Sequence, residues 1–316
     1  MPELRYERLT DRTVIVATTR AARPKVFSGA RASERGRAPD ECPFCPGHEH
    51  MTPPEVCRSG PGAPETPGWH VRVVPNLYPI VGGEDARPGA TGAHEVVVLS
   101  PDHRRTFAQL DADQALDVMR VVRDRVRVHT DDGHAYVQAF VNHGRAAGAS
   151  IEHPHAQVVA LDFVPPAVVA SLARYRDAGS DLVADAASSA REGGRVVLDG
   201  SGDVDAWCPY APSAPYETAL AHRDASASFA DASDDELRVV TRTLQTVLAR
   251  VARVAGDPAY NVVVHSAPGR DAGDTVFHWW VEVSPRLSLQ AGFELGTGVL
   301  VATVPPEQAA AELREA

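Results

Sequence analysis

His153-Pro154-His155-Ala156-Gln157 sets two imidazoles and an amide within five residues. It leads from the Gly/Ala-rich stretch Gly144 to Ser150 into the alternation Val158-Val159-Ala160-Leu161, which reads as a strand opening out of the motif. In an extended segment residues i, i+2 and i+4 share a face. His153, His155 and Gln157 can therefore converge on one side, held rigidly at a strand's mouth. Pro154 fixes its own φ and biases His153 toward extended geometry. A second chemical cluster is Cys42-Pro43-Phe44-Cys45. A Cys-x-x-Cys turn brings two thiols to one side, which suits a tetrahedral zinc or a redox pair. The turn lacks a surrounding βαβ pattern, so the redox reading is the weaker one. A zinc held here needs two further ligands, histidines or carboxylates, from elsewhere in the chain.

The elements that must position these groups follow in order. Thr13 to Ala17 alternate as a first strand and run into Arg20 and Arg23, two arginines able to grip a phosphate. Residues 28–67 are rich in Pro, Gly and charge and read as loop that a metal clip could order; His48 and His50 are expected to be exposed within it. Strands are expected at Val71 to Asn76, His94 to Leu99 and Tyr136 to Asn142, with an amphipathic helix over Asp111 to Val128. The small residues from Gly144 to Ser150 let backbone N–H groups approach a ligand closely.

The second half repeats this order. Trp207 to Tyr210, Tyr216 to Leu220, a helix over Asp235 to Val254, Tyr260 to His265 and Phe277 to Glu282 stand where their counterparts stood. The expected fold is α+β: two tandem modules, each an antiparallel sheet with packed helices. The boundaries are 1–165 for the first module, 166–200 for a linker and 201–316 for the second. Trp280 takes the place of His155 and Glu282 that of Gln157, so one half alone keeps the imidazole, which favours a reactive role for His155.

Whole-chain properties narrow the function. A chain of 316 residues with 44% hydrophobic and 23% charged residues is an ordinary globule. Its net charge of −11 argues against nucleic acid and membrane surfaces as partners. Lys25 is the single lysine, so phosphate contacts would fall to planar, bidentate arginines. Neither a signal-peptide h-region nor a membrane-length apolar run is found, and a cytoplasmic location is expected.

Taken together, Arg20/Arg23-Pro24, Cys42/Cys45, Val74-Pro75-Asn76, Ser100-Pro101-Asp102-His103, Asn142 with Gly148 and Ser150, His153 to Gln157, and Gly292 to Gly298 resemble the galactose-1-phosphate uridylyltransferase branch of the histidine-triad superfamily. The resemblance spans nearly the whole chain. It implies a structural zinc on Cys42, Cys45, His103 and His153. It also implies His155 as nucleophile, Gln157 as a donor to phosphoryl oxygens, and Arg20, Arg23, Asn76, Asn142, Gly148 and Ser150 as substrate contacts. A backbone carbonyl on the other ring nitrogen would fix the His155 tautomer. The implied reaction is ping-pong exchange through a nucleotidyl-histidine between a nucleoside diphosphate sugar and a sugar 1-phosphate, UDP-glucose and galactose 1-phosphate by default, in a homodimer. Phosphorolysis of a nucleotide sugar or adenylyl transfer on the same intermediate is the alternative; a hydrolase or a nucleotide-binding protein without turnover stands further off, since Gln157 disfavours hydrolysis. A second metal site seen in such enzymes is expected to be absent, because Ser171 and Trp280 replace two of its ligands and leave His265 and His278. The tail also lacks a lysine many relatives use, with Leu289 near its place.

Overall fold

Alternating and amphipathic segments become a mixed α+β fold in the computed structural model, which describes residues 2–19, 38–82, 87, 89–199, 203–224, 226–269 and 276–316. The first part of the chain contributes β1 (Glu3–Glu7), β2 (Arg12–Val16), β3 (Cys57–Ser59), β4 (Val71–Pro75), β5 (Gly92–Val98), α1 (Ala112–Asp131), β6 (Tyr136–His143) and β7 (His155–Leu161). Then come α2 (Pro166–Ala178), α3 (Leu182–Glu192), β8 (Val196–Leu198), β9 (Val204–Trp207), β10 (Thr218–His222), α4 (Asp234–Ala255), β11 (Tyr260–His265), β12 (Trp280–Pro285), α5 (Gly292–Thr297), β13 (Leu300–Ala302) and α6 (Pro306–Glu315).

Ten strands form one antiparallel sheet in the order β3-β4-β5-β7-β6-β11-β12-β10-β9-β8. Read inward from either edge the connectivity is the same, and the two halves meet where β6 pairs with β11, Asn142 opposite Asn261. The antiparallel sheets expected of the two halves are joined edge to edge into one. Strand periodicity reports which face is apolar but not which neighbour a strand takes, so it could not reveal this seam.

Alternation gives the sheet two unlike faces. On one, Val97, Ala156, Val158, Ala139, Val262, Val281 and Leu220 pack beneath α1 and α4. Helix α1 starts at Asp111, whose carboxylate accepts from the Gln114 N–H. Helix α4 starts with a Ser233/Glu236 capping box and stops at Gly256 in left-handed conformation, a start worth about 1 kcal/mol. The opposite face carries His155 and Gln157, the cysteine turn and, over the second half, α2 and α3. Residues 166–200, expected as a linker, thus contain two helices and the edge strand β8. The Ala and Asp residues of this segment supply the buried Ala187 and Ala190 and the Asp181 cap, which accepts from the Val183 and Ala184 N–H groups.

The β1–β2 hairpin pairs with β13 in a separate three-stranded sheet. It is fastened to the second half of the chain. Leu9 joins the cluster around Trp207 and Trp280, Val14 and Val16 pack with Ala211 and Ala302, and Arg12 spans Glu217 (2.6 Å) and Glu282 (3.0 Å). No described helix is long and apolar enough to cross a membrane.

Candidate functional site

Strand β7 begins at His155, so His155 and Gln157 point to the same face of the sheet, opposite Val98 and Val96 of β5. His153 lies one turn earlier, fully buried, with Nε2 donating to the Ser100 carbonyl at 2.8 Å. That bond leaves Nδ1 unprotonated and directed at the cysteine turn. Cys42 Sγ lies 3.7 Å from His153 Nδ1, and Cys45 Sγ lies 3.6 Å from it and 3.3 Å from His103 Nδ1. All four ligand atoms fall within 4.8 Å of one another.

These side chains fit a tetrahedral metal. Bond lengths of about 2.3 Å to sulfur and 2.0 Å to nitrogen place neighbouring S and N ligands about 3.6 Å apart, which is the spacing found. The protonation chemistry agrees. Burial, with Cys42 alongside, pushes the Cys45 thiol up to about 12, and burial brings His153 down to about 4. A divalent cation would displace the Cys45 thiol proton on binding and take up the thiolate. Further contacts hold the ligands in place. Asp102 accepts from the Arg104 and Arg105 N–H groups and shapes the turn carrying His103. His48, half-buried rather than exposed as expected, donates Nδ1–H to the Cys42 carbonyl at 2.7 Å. Buried Glu49 accepts from the Gly47 N–H and from Trp69 Nε1–H, both at 2.9 Å. His50 is exposed.

His155 is 7% exposed, with Phe44 edge-on to its ring at 5.4 Å. Its Nδ1–H donates to the His153 carbonyl at 2.9 Å, so the lone pair of the neutral ring sits on Nε2. That nitrogen makes no hydrogen bond among the described residues. Burial lowers the His155 pKa, outweighing the carbonyl's opposite pull, and keeps the ring neutral. Gln157 Oε1 accepts from His94 Nε2–H at 2.8 Å, and Asn76 Nδ2 lies 3.1 Å from the same nitrogen. Asn76 and Gln157 are thus brought together by His94, a residue the sequence offered only as part of a strand.

The remaining candidates divide. Asn142 Oδ1 accepts from Asn261 Nδ2 at 2.7 Å, and the Asn261 amide also donates to the Ala147 carbonyl at 3.0 Å. Gly148, at φ +95°, closes the turn so near Asn142 that a Cβ there would stand 3.6 Å from its Nδ2. Asn142 and Gly148 therefore form one unit braced from the second half by Asn261, a residue that the sequence pattern did not single out. Ser150 is exposed on the connection into His153. Arg20 and Arg23 lie outside the described residues.

Residues 86–165 match the family model for the N-terminal domain of galactose-1-phosphate uridyl transferase. The chain is 31% identical over 334 residues to ADP-glucose phosphorylase of Arabidopsis thaliana, covering 99% of this chain and 93% of that one. The chain belongs to the galactose-1-phosphate uridylyltransferase family. It is 26% identical over 339 residues to the galactose-1-phosphate uridylyltransferase of Thermotoga maritima, covering 100% and 98%. A crystal structure of an ADP-glucose phosphorylase from Arabidopsis thaliana with bound ADP-glucose matches with a TM-score of 0.86 at 30% identity, covering 100% and 99%.

As a member of this family the chain is a transferase of phosphorus-containing groups, specifically a nucleotidyltransferase. Its second half departs from the first at each reactive position. Trp280 stacks on His265 at 3.9 Å where His155 stands in the first half. Glu282, the counterpart of Gln157, is bound by Arg12 and His265. His278, the counterpart of His153, bonds Asp181 at 2.7 Å and the His222 carbonyl at 2.6 Å. Ser171 sits on α2, and Leu289 is 71% exposed.

Proposed function

We propose that His155 Nε2 attacks the α-phosphorus of a nucleoside diphosphate sugar and that sugar 1-phosphate leaves as the P–O bond breaks. The nucleotidyl group is then held on nitrogen until a second phosphate nucleophile takes it. The single observation that carries this reading is the His155 tautomer: Nδ1–H is occupied by the His153 carbonyl, which leaves the lone pair on Nε2, a nitrogen without a hydrogen bond among the described residues. The leaving group is a stable anion and needs little help from an acid. The His153 carbonyl would stabilise the imidazolium character that develops during attack. Gln157 and Asn76 would donate to phosphoryl oxygens, where donors aimed at accumulating charge contribute most. Asn142, Gly148 and Ser150 would contact the nucleotide and its phosphates, with Arg20 and Arg23 gripping the diphosphate. Zinc on Cys42, Cys45, His103 and His153 would be structural, with no open position, pinning the cysteine turn to the start of β7. We assign a single metal site, since His265 and His278 are committed to Glu282 and Asp181.

The family resemblance supports sugar 1-phosphate as acceptor, with UDP-glucose and galactose 1-phosphate the reference pair. A second reading, an adenine donor with inorganic phosphate as acceptor, is favoured by the greater identity to ADP-glucose phosphorylase over nearly the whole chain. Both share the first half-reaction. We also propose a cytoplasmic homodimer, the second half of one copy completing the site of the other. Among the described residues the hairpin that precedes Arg20 and Arg23 in sequence is fastened to the second half. Steady-state assays with ADP-glucose and UDP-glucose, each with phosphate or galactose 1-phosphate, separate the two readings. Product with neither donor under either acceptor would end both.

A further inference from the structure

The geometry points to His94 as a positioning residue that makes Gln157 a donor to the transferred phosphoryl group. His94 is 7% exposed on β5, and its two ring nitrogens face three partners. The Ile80 backbone N–H donates to Nδ1 at 3.2 Å, Gln157 Oε1 lies 2.8 Å from Nε2, and Asn76 Nδ2 lies 3.1 Å from Nε2. A backbone N–H can only donate, so Nδ1 is the bare nitrogen and Nε2 carries the proton. The opposite tautomer would set Nδ1–H against the Ile80 N–H and a lone pair against Gln157 Oε1. Burial lowers the His94 pKa and so favours the same neutral ring.

An Nε2–H must donate, and Gln157 Oε1 is the acceptor before it. The Gln157 carbonyl is thereby engaged, and its NH2 becomes the free end on the face shared with His155. Asn76 is held from its own side, Oδ1 accepting from the Tyr78 N–H at 2.9 Å, so the Asn76 NH2 stands beside Nε2 at 3.1 Å and does not compete with Gln157 Oε1 as acceptor. Without His94 the Gln157 amide could rotate and present its oxygen to a phosphate, where two acceptors would repel. Selecting the amide's orientation is therefore the work assigned to His94, and it deepens the role given to Gln157 under the proposed function, on which it rests.

The test compares full-length wild type with His94→Phe, His94→Gln, Gln157→Ala and the double variant His94→Phe/Gln157→Ala. Release of glucose 1-phosphate from ADP-glucose and from UDP-glucose is followed with inorganic phosphate or galactose 1-phosphate as acceptor, and metal content is measured for each protein. Gln157→Ala is expected to lower kcat by about 10²- to 10³-fold, as loss of one preorganised donor does. His94→Phe is expected to lower kcat by about 10²-fold, the scale of a misplaced reacting group, with KM and metal content held. His94→Gln, which can return an N–H near Nε2, should recover most of that loss. The double variant should be no slower than Gln157→Ala. Wild-type kcat in His94→Phe beside a damaged Gln157→Ala overturns the positioning role alone, as do losses that multiply in the double variant. An undamaged Gln157→Ala overturns the reading of Gln157 itself.

Discussion

Arg12→Met isolates what holds the N-terminal hairpin to the second half. The Arg12 side chain is 25% exposed, while its partners Glu217 and Glu282 are 0% and 7% exposed. Burial alone would raise both carboxyls, and it does raise Glu217; at Glu282 the Arg12 and His265 side chains outweigh burial and hold the carboxyl well below its usual range. Removing one member of a buried pair leaves an uncompensated charge, a cost of about 3–5 kcal/mol. An unfolding entropy of about 2.1 cal/mol/K per residue converts that into a fall in Tm of about 5–8 °C for a chain of this length. The pH dependence has a definite sign. In wild type, the depressed Glu282 contributes stability present above its unfolded pKa and lost as pH falls through the folded value. In Arg12→Met, burial raises both carboxyls, so the deficit is greatest at high pH and shrinks as falling pH protonates them. Thermal melts at pH 8 and pH 5 check this. A Tm within about 2 °C of wild type at pH 8, or a deficit that does not narrow at pH 5, refutes the reasoning.

Metal removal should act through the same stability assay: chelation, or Cys45→Ser, is expected to strip one equivalent of zinc per chain and lower Tm, and metal analysis that finds none in active protein would contradict the site. Gly148→Ala forces an L side chain to φ +95° beside Asn142 and should cost about 1 kcal/mol of stability together with at least a tenfold loss of kcat/KM, read from melts and steady-state assays. Asn261→Ala removes the brace on Asn142 and the Ala147 carbonyl; raised KM for the nucleotide sugar with metal content unchanged is the expected outcome.

Much of this site was legible because spacing carried it. The i, i+2 offset of His155 and Gln157 survives as a shared strand face; the full set Cys42, Cys45, His103 and His153, which the family resemblance rather than spacing implied, converges although 111 positions separate Cys42 from His153. The orders of strands and helices in the two halves were also readable from their periodicity. What stayed hidden depends on partners rather than pattern. The pairing of β6 with β11 follows from register across the seam, and a strand's alternation is the same at an edge or a centre. His94 looks like any polar residue of a half-buried strand until the Ile80 N–H and the Gln157 amide close on its two nitrogens. A short helical piece was legible where α2 stands, but α3 was hidden in a composition of Ala, Asp and Ser that becomes helical face and cap only when packed beside Trp207.

The central claim is that His155 forms a covalent bond to phosphorus, and intact-mass spectrometry of the protein mixed with a nucleotide sugar in the absence of acceptor tests it directly. The account predicts a gain of one nucleoside monophosphate with ADP-glucose or UDP-glucose, located by peptide mapping on His155, discharged by phosphate or a sugar 1-phosphate, and lost in His155→Gly. Turnover without any such adduct in wild type, or an adduct that persists in His155→Gly, would contradict it.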